Sequence, residues 1–255
     1  MKFIDTHAHL YLDQFKDDLD EVINNAINEG VDKLFLPNID SGTIDVMNDL
    51  VAKFPNNCFP MIGLHPSDVK ENYKEELAIV EREAKTGKYI AIGEIGIDLY
   101  WDKTFLAQQQ EAFAFQLELA KSMGLPVAIH ARDSFDEIFE VLDTHNDDTL
   151  KGVLHCFTGN LEQANRVINY GGFKLGIGGV ATFKNGGLDK VIPHVDLKHL
   201  VLETDSPFLA PTPYRGKRNE SKYIPIIADK IAQFQGVKIE QVAEVTTQNA
   251  LELFS

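Results

Sequence analysis

Residues 126–131 read "PVAIHA", residues 133–145 read "DSFDEIFEVLDTH", and residues 151–157 read "KGVLHCF". The first and third segments are short apolar runs typical of buried strands, and the second has the mixed apolar and acidic pattern of an amphipathic helix. A strand, a helix and a second strand in this order predict two parallel strands joined by a crossover helix. Each of the two predicted strands ends at a histidine, His130 or His155.

The same alternation continues in both directions along the chain. Further strand-like runs are "KFIDTH" (2–7), "KLFLPNI" (33–39), "CFPMIGLHP" (58–66), "YIAIGEIGID" (89–98), "FKLGIG" (173–178) and "HLVLETD" (199–205). Helical patterns follow them, including "GGLDKVIP" (186–193) after the seventh strand. Eight strand–helix units predict an α/β protein folded as a single (β/α)8 TIM barrel rather than a doubly wound open sheet. No linker divides the chain, so we expect one barrel domain over residues 1–255.

Charge and composition narrow the class of protein. The 255 residues include 24 Lys and Arg against 39 Asp and Glu, a net charge of −15, which excludes a protein that coats nucleic acid through bulk charge. Cys58 and Cys156 lie in unlike contexts without a CxxC motif, which is typical of a reducing compartment. We find no signal-peptide pattern and no apolar run near the ~20 residues that span a bilayer. We therefore expect a cytoplasmic monomer without membrane contact.

Side chains that bind metals fall at the ends of the predicted strands. In a barrel, the carboxyl ends of the strands meet at one mouth, where active sites form. Six candidate metal ligands come from five strands: His7, His9, Glu94, His130, His155 and Asp205. A single histidine in an apolar strand is more often a hydrogen-bonded core residue, so the prediction depends on the six residues together.

The "HAH" run shows how two ligands can share one strand. His7 and His9 are two positions apart, so they face the same side of the strand. Asp5 has the same parity, and we expect it one layer below them as a partner that orients a ligand.

Six ligands exceed the needs of one tetrahedral ion and suit two ions about 3.5–4 Å apart, bridged by a carboxylate. Glu94 is the natural bridge. We expect one ion on His7, His9, Glu94 and Asp205, and the other on Glu94, His130 and His155. Asp205 is also placed to accept a proton from the attacking water, so Asp205 and Glu94 are the predicted catalytic residues. The ligand types leave zinc, manganese and magnesium open.

Two residues near the ligands are candidates for substrate binding. His65 in "GLHP" ends the third strand and is predicted to contact substrate, with a structural turn histidine as the alternative. Arg132 follows His130 and would hold an anionic group. The alternative for Arg132 is an ion pair with Asp133 or Asp136.

A basic loop follows the last strand. The run "PTPYRGKRNES" (211–221) is predicted to face phosphate, although a solvated loop is the alternative. Its cations are Arg215, Lys217 and Arg218. Tyr100 and Trp101 follow Glu94 in the fourth unit and could stack a nucleobase, with packing in an exposed loop as the alternative.

These motifs resemble the TatD-type metal-dependent deoxyribonucleases of the amidohydrolase superfamily. The resemblance covers essentially the whole chain and is carried by "DTHAHL", "GLHP", "GEIGID", "PVAIHARD", "LHCFTG", "GIGGVATFKN", "LETDSPFLAPTPYRGKRNE" and "TTQNALELF". It implies a barrel with a divalent-metal centre that hydrolyses DNA phosphodiesters, often as a 3′ exonuclease on single strands. It also implies metal at the six positions given above. Family members often have proline where this chain has Ser221.

We therefore predict a metal-dependent deoxyribonuclease that acts on a DNA substrate, as a 3′–5′ exonuclease on single strands, by two-metal activation of water. The alternative is a small-molecule amidohydrolase that opens a cyclic amide or lactone with the same metal centre. A non-catalytic scaffold is a third hypothesis, which the intact ligand set disfavours.

Overall fold

A computed structural model describes residues 1–254 as short strands alternating with helices. The strands β1 to β8 are Phe3–Asp5, Val31–Leu36, Cys58–Pro60, Ile92–Asp98, Val127–Arg132, Gly152–Leu154, Phe173–Ile177 and Leu200–Leu202. The α-helices α1 to α8 are Leu19–Asn28, Ile44–Lys53, Tyr73–Ala84, Leu106–Met123, Phe135–His145, Leu161–Asn169, Ile224–Gln235 and Ile239–Leu253. Each helix from α1 to α6 follows the strand of the same number, as the alternation predicts.

The seventh unit differs from the prediction. The helix expected over residues 186–193 is replaced by the short 3₁₀ turns Leu188–Lys190 and Ile192–His194. Two consecutive glycines at the start of the segment and a proline at its end disfavour a regular helix. Helices α7 and α8 both follow β8.

All neighbouring strands run parallel and follow the order of the sequence. Regular ladders join β1 to β3 and β4 to β8. Between β3 and β4, the backbone N–H of Ile62 donates to Ala91 O at 3.1 Å. Between β8 and β1, the N–H of Thr6 donates to Leu202 O at 3.0 Å. These bonds close the eight strands into a ring and confirm the (β/α)8 prediction.

Hydrophobic packing leaves one end of the barrel open. A large cluster between strands and helices includes residues from α1 through α8. A smaller cluster fills the barrel interior with Ile4, Phe35, Met61, Ala91, Ala128, Val153 and Val201. The C-terminal residues Ala250, Leu253 and Phe254 pack against this inner cluster. The opposite end, where the carboxyl ends of the strands lie, is the mouth.

Capping residues determine where the helices begin and end. Asn160 Oδ1 accepts from the N–H of Gln163 at 2.9 Å, and Gln163 Oε1 accepts from the N–H of Asn160 at 2.8 Å. This capping box starts α6 and so limits the length of the loop that follows β6 at the mouth. Helix α4 ends at Gly124, whose φ of 65° favours glycine.

Within residues 1–254, no helix combines the length and apolar character needed to cross a lipid bilayer. Cys58 and Cys156 are not joined by a disulfide. The single domain over residues 1–255 stays a prediction, and its last residue, Ser255, lies outside the described part of the chain.

Candidate metal centre

The carboxylate of Glu94 lies at the centre of the mouth and is almost completely buried. Its Oε2 lies 3.0 Å from Nε2 of His7 and 3.2 Å from Nε2 of His9. Oδ1 of Asp205 lies 3.6 Å from Nε2 of His9 and 3.8 Å from Nε2 of His7. The four side chains predicted to hold the first ion therefore form one group.

The other oxygen of Glu94 faces a second group. Oε1 lies 2.7 Å from Nε2 of His155 and 2.8 Å from Nδ1 of His130. His65 also points here, with Nε2 3.4 Å from Oε1, while its Nδ1 accepts from the N–H of Ser67 at 3.1 Å. His65 therefore lies where a substrate-contacting residue is expected, and it also makes the hydrogen bond expected of a structural turn histidine.

A bend after β1 orients the side chains of His7 and His9. β1 ends at Asp5, and the chain bends at Thr6. The expectation that Asp5 faces inward is wrong, because Asp5 pairs with Leu34, whose side chain packs in the outer cluster. Its buried carboxylate accepts from the N–H of His7 at 3.3 Å and from the N–H and hydroxyl of Thr204 at 2.9 and 2.6 Å. Asp5 therefore joins the ends of β1 and β8.

Glu94 lies inside β4 and not at its end as predicted. The pairing of β4 with β5 shifts register between Gly93 and Ile95. Such a bulge turns the extra side chain relative to its neighbours. Glu94 can therefore face the barrel axis although Ala91, three positions earlier, also packs in the interior.

Asp98 ends β4 and contacts the imidazole of His130 on the side away from Glu94. Its Oδ2 lies 2.9 Å from Nε2 of His130, whose Nδ1 faces Glu94. A carboxylate in this position fixes the orientation of a ligating imidazole and raises its basicity. Sequence reasoning assigned no role to Asp98.

Tyr11 performs the same task for His9. The hydroxyl of Tyr11 donates to Pro37 O at 2.6 Å, which leaves its oxygen to accept from Nδ1 of His9 at 3.0 Å. With a proton on Nδ1, the lone pair of Nε2 is available on the side of Glu94. Sequence reasoning missed Tyr11, although it continues the two-residue spacing of the "HAH" run.

Glu203 is a fully buried carboxylate that sequence reasoning also missed. Its Oε1 lies 3.5 Å from Nδ1 of His155 and accepts from the N–H of Cys156. Oε2 has no hydrogen-bond partner within residues 1–254. Gly176 leaves room for it, because a Cβ there would lie 2.2 Å from Oε2. Glu203 precedes Asp205 by two residues, so strand parity was the signal that could have found it.

Burial and neighbouring charges set the protonation of the ring of candidate ligands around Glu94. Burial raises the pKa of Glu94, but the surrounding imidazoles, His155 first, outweigh it and hold that pKa well below its usual range. Burial lowers the pKa of His155, but Glu94 and Glu203 raise it well above its usual range. Burial also raises the pKa of the Asp205 carboxyl to about 6. An anionic carboxylate among imidazoles is a suitable donor set for a cation.

The donor atoms fit divalent ions. Nε2 of His7 and Nε2 of His9 lie 3.3 Å apart and face the same oxygen of Glu94, so a cation between them would satisfy their lone pairs. Three groups bring possible ligand atoms within 4.8 Å of one another: His7–His9–Glu94, His65–Glu94–His130 and His7–His155–Glu203. Imidazole and carboxylate ligands suit zinc and manganese, and magnesium prefers oxygen ligands.

Arg132 lies beside the ring on an aromatic surface. Its guanidinium carbon lies 3.8 Å from the centroid of the Tyr100 ring. The alternative ion pairs with Asp133 and Asp136 do not form within residues 1–254. Arg132 therefore remains available for an anionic group.

The basic loop after β8 carries two exposed cations and one cation that forms ion pairs. Arg215 is exposed over the Phe183 ring, and Lys217 is exposed without an ion pair in the described part of the chain. Arg218 instead donates to both oxygens of Asp18 at 2.9 and 2.6 Å, and to Glu220 at 3.1 Å. These ion pairs anchor the loop to the segment before α1, and the predicted contact of Arg218 with substrate stays a prediction.

Comparisons with known proteins identify a matching family and several relatives. A sequence profile for the family described as "TatD related DNase" matches residues 4–255. The chain is similar to "Uncharacterized metal-dependent hydrolase YabD" of Bacillus subtilis, with 38% identity over 251 residues that cover 98% of each chain. It is also similar to "3'-5' ssDNA/RNA exonuclease TatD" of Yersinia pseudotuberculosis, with 30% identity over 247 residues covering 94% of this chain and 95% of that one.

A solved structure extends the likeness to three dimensions. The TatD homologue YjjV of Escherichia coli has a TM-score of 0.92 and 29% identity to this chain, and the match covers 99% of this chain and 97% of that one. The similarity therefore includes every segment that contributes a side chain to the ring around Glu94.

Proposed function

Since this chain belongs to the TatD-related DNase family of metal-dependent hydrolases, we propose that it is a deoxyribonuclease that shortens single-stranded DNA from its 3′ end. The exonuclease activity and the polarity are named for the relative from Yersinia pseudotuberculosis, and here they form part of the proposal. Action as a cytoplasmic monomer stays a prediction from the sequence.

The division of imidazoles between the two oxygens of Glu94 carries this proposal. Oε2 faces His7 and His9, and Oε1 faces His130 and His155. His7, His9 and Asp205 would hold one divalent ion, His130 and His155 would hold a second, and Glu94 would contribute a carboxylate oxygen to each. When bound, the ions supply Lewis-acid polarisation of a phosphoryl oxygen and activation of water.

The protein's own residues orient the reactants and move the proton. Asp205 is the proposed base, because its carboxylate borders the first group of candidate ligands, with Oδ1 3.6 Å from Nε2 of His9. Glu94 is the proposed bridge, which Asp98 and Tyr11 support by orienting His130 and His9. His65 and Arg132 border the ring on the proposed substrate side.

The charge distribution supports a polyanionic substrate. The chain has a net charge of −15, yet Arg132, Arg215 and Lys217 are exposed near or after the ends of β5 and β8. Local cations on an acidic protein bind phosphates without strong non-specific attraction to nucleic acid. We propose that these three residues contact the DNA backbone, and that Arg218 positions the loop of Arg215 and Lys217 and adds a further phosphate contact.

The test is incubation of the purified protein with 5′-end-labelled single-stranded DNA, with chelator or with added zinc, manganese or magnesium. We expect a ladder that shortens from the 3′ end only when a divalent ion is present. Internal products at early times would contradict the exonuclease mode. Intact DNA with every ion, together with hydrolysis of a lactone or cyclic amide, would favour the small-molecule amidohydrolase alternative.

A pair of double variants links the cleavage to the ring. His130→Ala with His155→Ala should abolish cleavage while the circular dichroism spectrum is retained. His194→Ala with His199→Ala removes two histidines outside the mouth and should leave cleavage unchanged. Full activity of the first double variant would overturn the proposed mechanism.

A further inference from the structure

The loop after β4 exposes two adjacent aromatic rings at the mouth. The relative exposure of Tyr100 is 51% and that of Trp101 is 76%. Trp101 is the single tryptophan of the chain. Single exposed apolar residues are common on protein surfaces, so exposure alone assigns no role to these rings.

The two rings are held in a defined arrangement. Tyr100 and Trp101 meet edge to face, with centroids 4.7 Å apart and planes at 90°. The guanidinium carbon of Arg132 lies 3.8 Å from the Tyr100 centroid and 5.6 Å from the Trp101 centroid. Tyr100 is therefore engaged by both neighbours, whereas most of the indole surface of Trp101 is left to solvent.

A short chain of contacts connects this pair to the ring around Glu94. Asp98 Oδ1 accepts from the N–H of Tyr100 at 2.9 Å, and Asp98 Oδ2 lies 2.9 Å from Nε2 of His130. The same carboxylate thus fixes both a candidate ligand and the start of the aromatic loop. The aromatic loop therefore begins two residues after a side chain that contacts His130.

Cavities flank the pair on both sides. One of about 270 Å³ is lined by Trp101, Lys70 and Phe105, and reaches Asp98. One of about 610 Å³ is lined by Tyr100 and Arg132. Neither Lys70 nor Arg132 forms an ion pair within residues 1–254. Each cavity therefore offers an aromatic surface beside an unpaired cation, as a flat base joined to a phosphate requires, and each also contains carboxylates: Asp98 and Asp102 in the first, and Asp133, Asp136 and Glu137 in the second.

We propose that Trp101 stacks on a nucleobase of the bound single strand, with Tyr100 and Arg132 holding the indole and Lys70 contacting an adjoining phosphate. The inference rests on the proposed function and adds a base-binding subsite to it. Because every base has a π face, such a subsite binds bases without reading their sequence. A paired duplex does not offer this face, so the subsite selects single strands.

Trp101 provides its own spectroscopic signal. Stopped-flow mixing of the metal-loaded protein with oligothymidylate should quench the tryptophan fluorescence during binding, before product forms. An oligomer of equal length that carries abasic tetrahydrofuran sugars in place of every base should leave the fluorescence unchanged. Equal signals from the two oligomers would overturn the subsite.

Cleavage assays separate this inference from the proposed function. For Trp101→Ala, kcat/KM on base-containing DNA should fall roughly five- to hundred-fold, whereas Trp101→Phe should retain most of it. With one abasic sugar placed at successive positions from the 3′ end, the loss caused by Trp101→Ala should disappear at one position. Phe115→Ala, an exposed ring on α4, is the matched control.

Each outcome decides one of the two hypotheses. Cleavage by the native protein that is insensitive to Trp101→Ala at every abasic position would overturn the subsite alone. Absence of cleavage by the native protein with each of the three ions would overturn the proposed function, and the subsite with it.

Discussion

Oδ2 of Asp98 lies 2.9 Å from Nε2 of His130, on the side of the imidazole that faces away from Glu94. Both nitrogens of this ring are therefore engaged by carboxylates. The strength of His130 as a ligand consequently depends on a residue that need not touch an ion.

Asp98→Ala should lower divalent-metal affinity and activity about 10- to 100-fold, because the imidazole loses its orienting partner. Asp98→Asn should lie between the native protein and the alanine variant, since the amide oxygen can still accept from Nε2. Titration calorimetry of the chelator-treated protein with zinc or manganese measures the affinity. Asp102→Ala, an exposed neighbour, is the control, and an unchanged affinity in Asp98→Ala would contradict the role.

Glu94→Gln should reduce the amount of tightly bound metal to one ion or fewer per chain, because both proposed sites share this carboxylate. Elemental analysis after dialysis gives the metal content, and circular dichroism checks the fold. Glu111→Gln on α4 is the control and should bind as much metal as the native protein. A native stoichiometry in Glu94→Gln would rule out Glu94 as the bridge.

Gly176→Ala tests the space beside Glu203. The new Cβ would lie 2.2 Å from Oε2 of Glu203, so either the strand or the carboxylate must move, at a cost of about 1–3 kcal/mol. Thermal unfolding should show a lower Tm, and metal affinity should fall because His155 loses its neighbour. Gly42→Ala places its Cβ 3.4 Å from Asp40 Oδ1 and should change neither quantity much; equal effects of the two variants would refute the explanation.

Arg215→Gln combined with Lys217→Gln should weaken binding of single-stranded DNA and flatten its salt dependence. The slope of log affinity against log salt should become shallower by about 0.7 for each lost phosphate contact. Fluorescence anisotropy over a range of salt concentrations provides both values. Lys238→Gln at the start of α8 is the control, and an unchanged slope in the double variant would support an uncharged small substrate.

Asp18→Asn should destabilise the protein at neutral pH but less at low pH. The hydrogen bond from Arg218 lowers the pKa of Asp18 from its ordinary value of 3.8. The ion pair therefore contributes above pH 3.8 and is lost as the pH falls below that value. Because Asp18 is 40% exposed, its contribution is about 1 kcal/mol or less.

The measurement is the difference in Tm between native protein and Asp18→Asn at pH 7 and at pH 3. We expect about 2–4 °C or less at pH 7 and a smaller difference at pH 3. A difference that grows as the pH falls would contradict the sign of this linkage.

Strand parity accounts for most of what was predictable in the site. His130, His155 and Asp205 each follow an inward apolar residue by an even number of positions, so their direction could be inferred from the sequence. Glu203 obeys the same rule and could have been included. Parity fails at Asp5 and Glu94, because a bend and a register shift are set by hydrogen bonds to other strands, which local sequence does not reveal.

Contacts that the sequence does not reveal explain the remaining differences between the predicted and the observed structure. Arg218 binds Asp18 from a distant part of the chain, and no local pattern distinguishes it from Arg215 or Lys217. Arg132 could form ion pairs with nearby acids in sequence, but the fold brings Tyr100 over its guanidinium instead. The helix missing after β7 follows from Gly186 and Pro193, which disfavour a regular helix and are visible in the sequence.

The bond from the Thr6 N–H to Leu202 O joins the first strand to the last. His7 and His9 leave the ribosome before the seven strands β2 to β8, whereas Asp205 emerges only after them. Throughout that interval, β1 can pair only with β2, because β8 has not yet been synthesised. A nascent polypeptide therefore cannot assemble the full set of ligands, and hydrolysis begins only after translation has delivered β8.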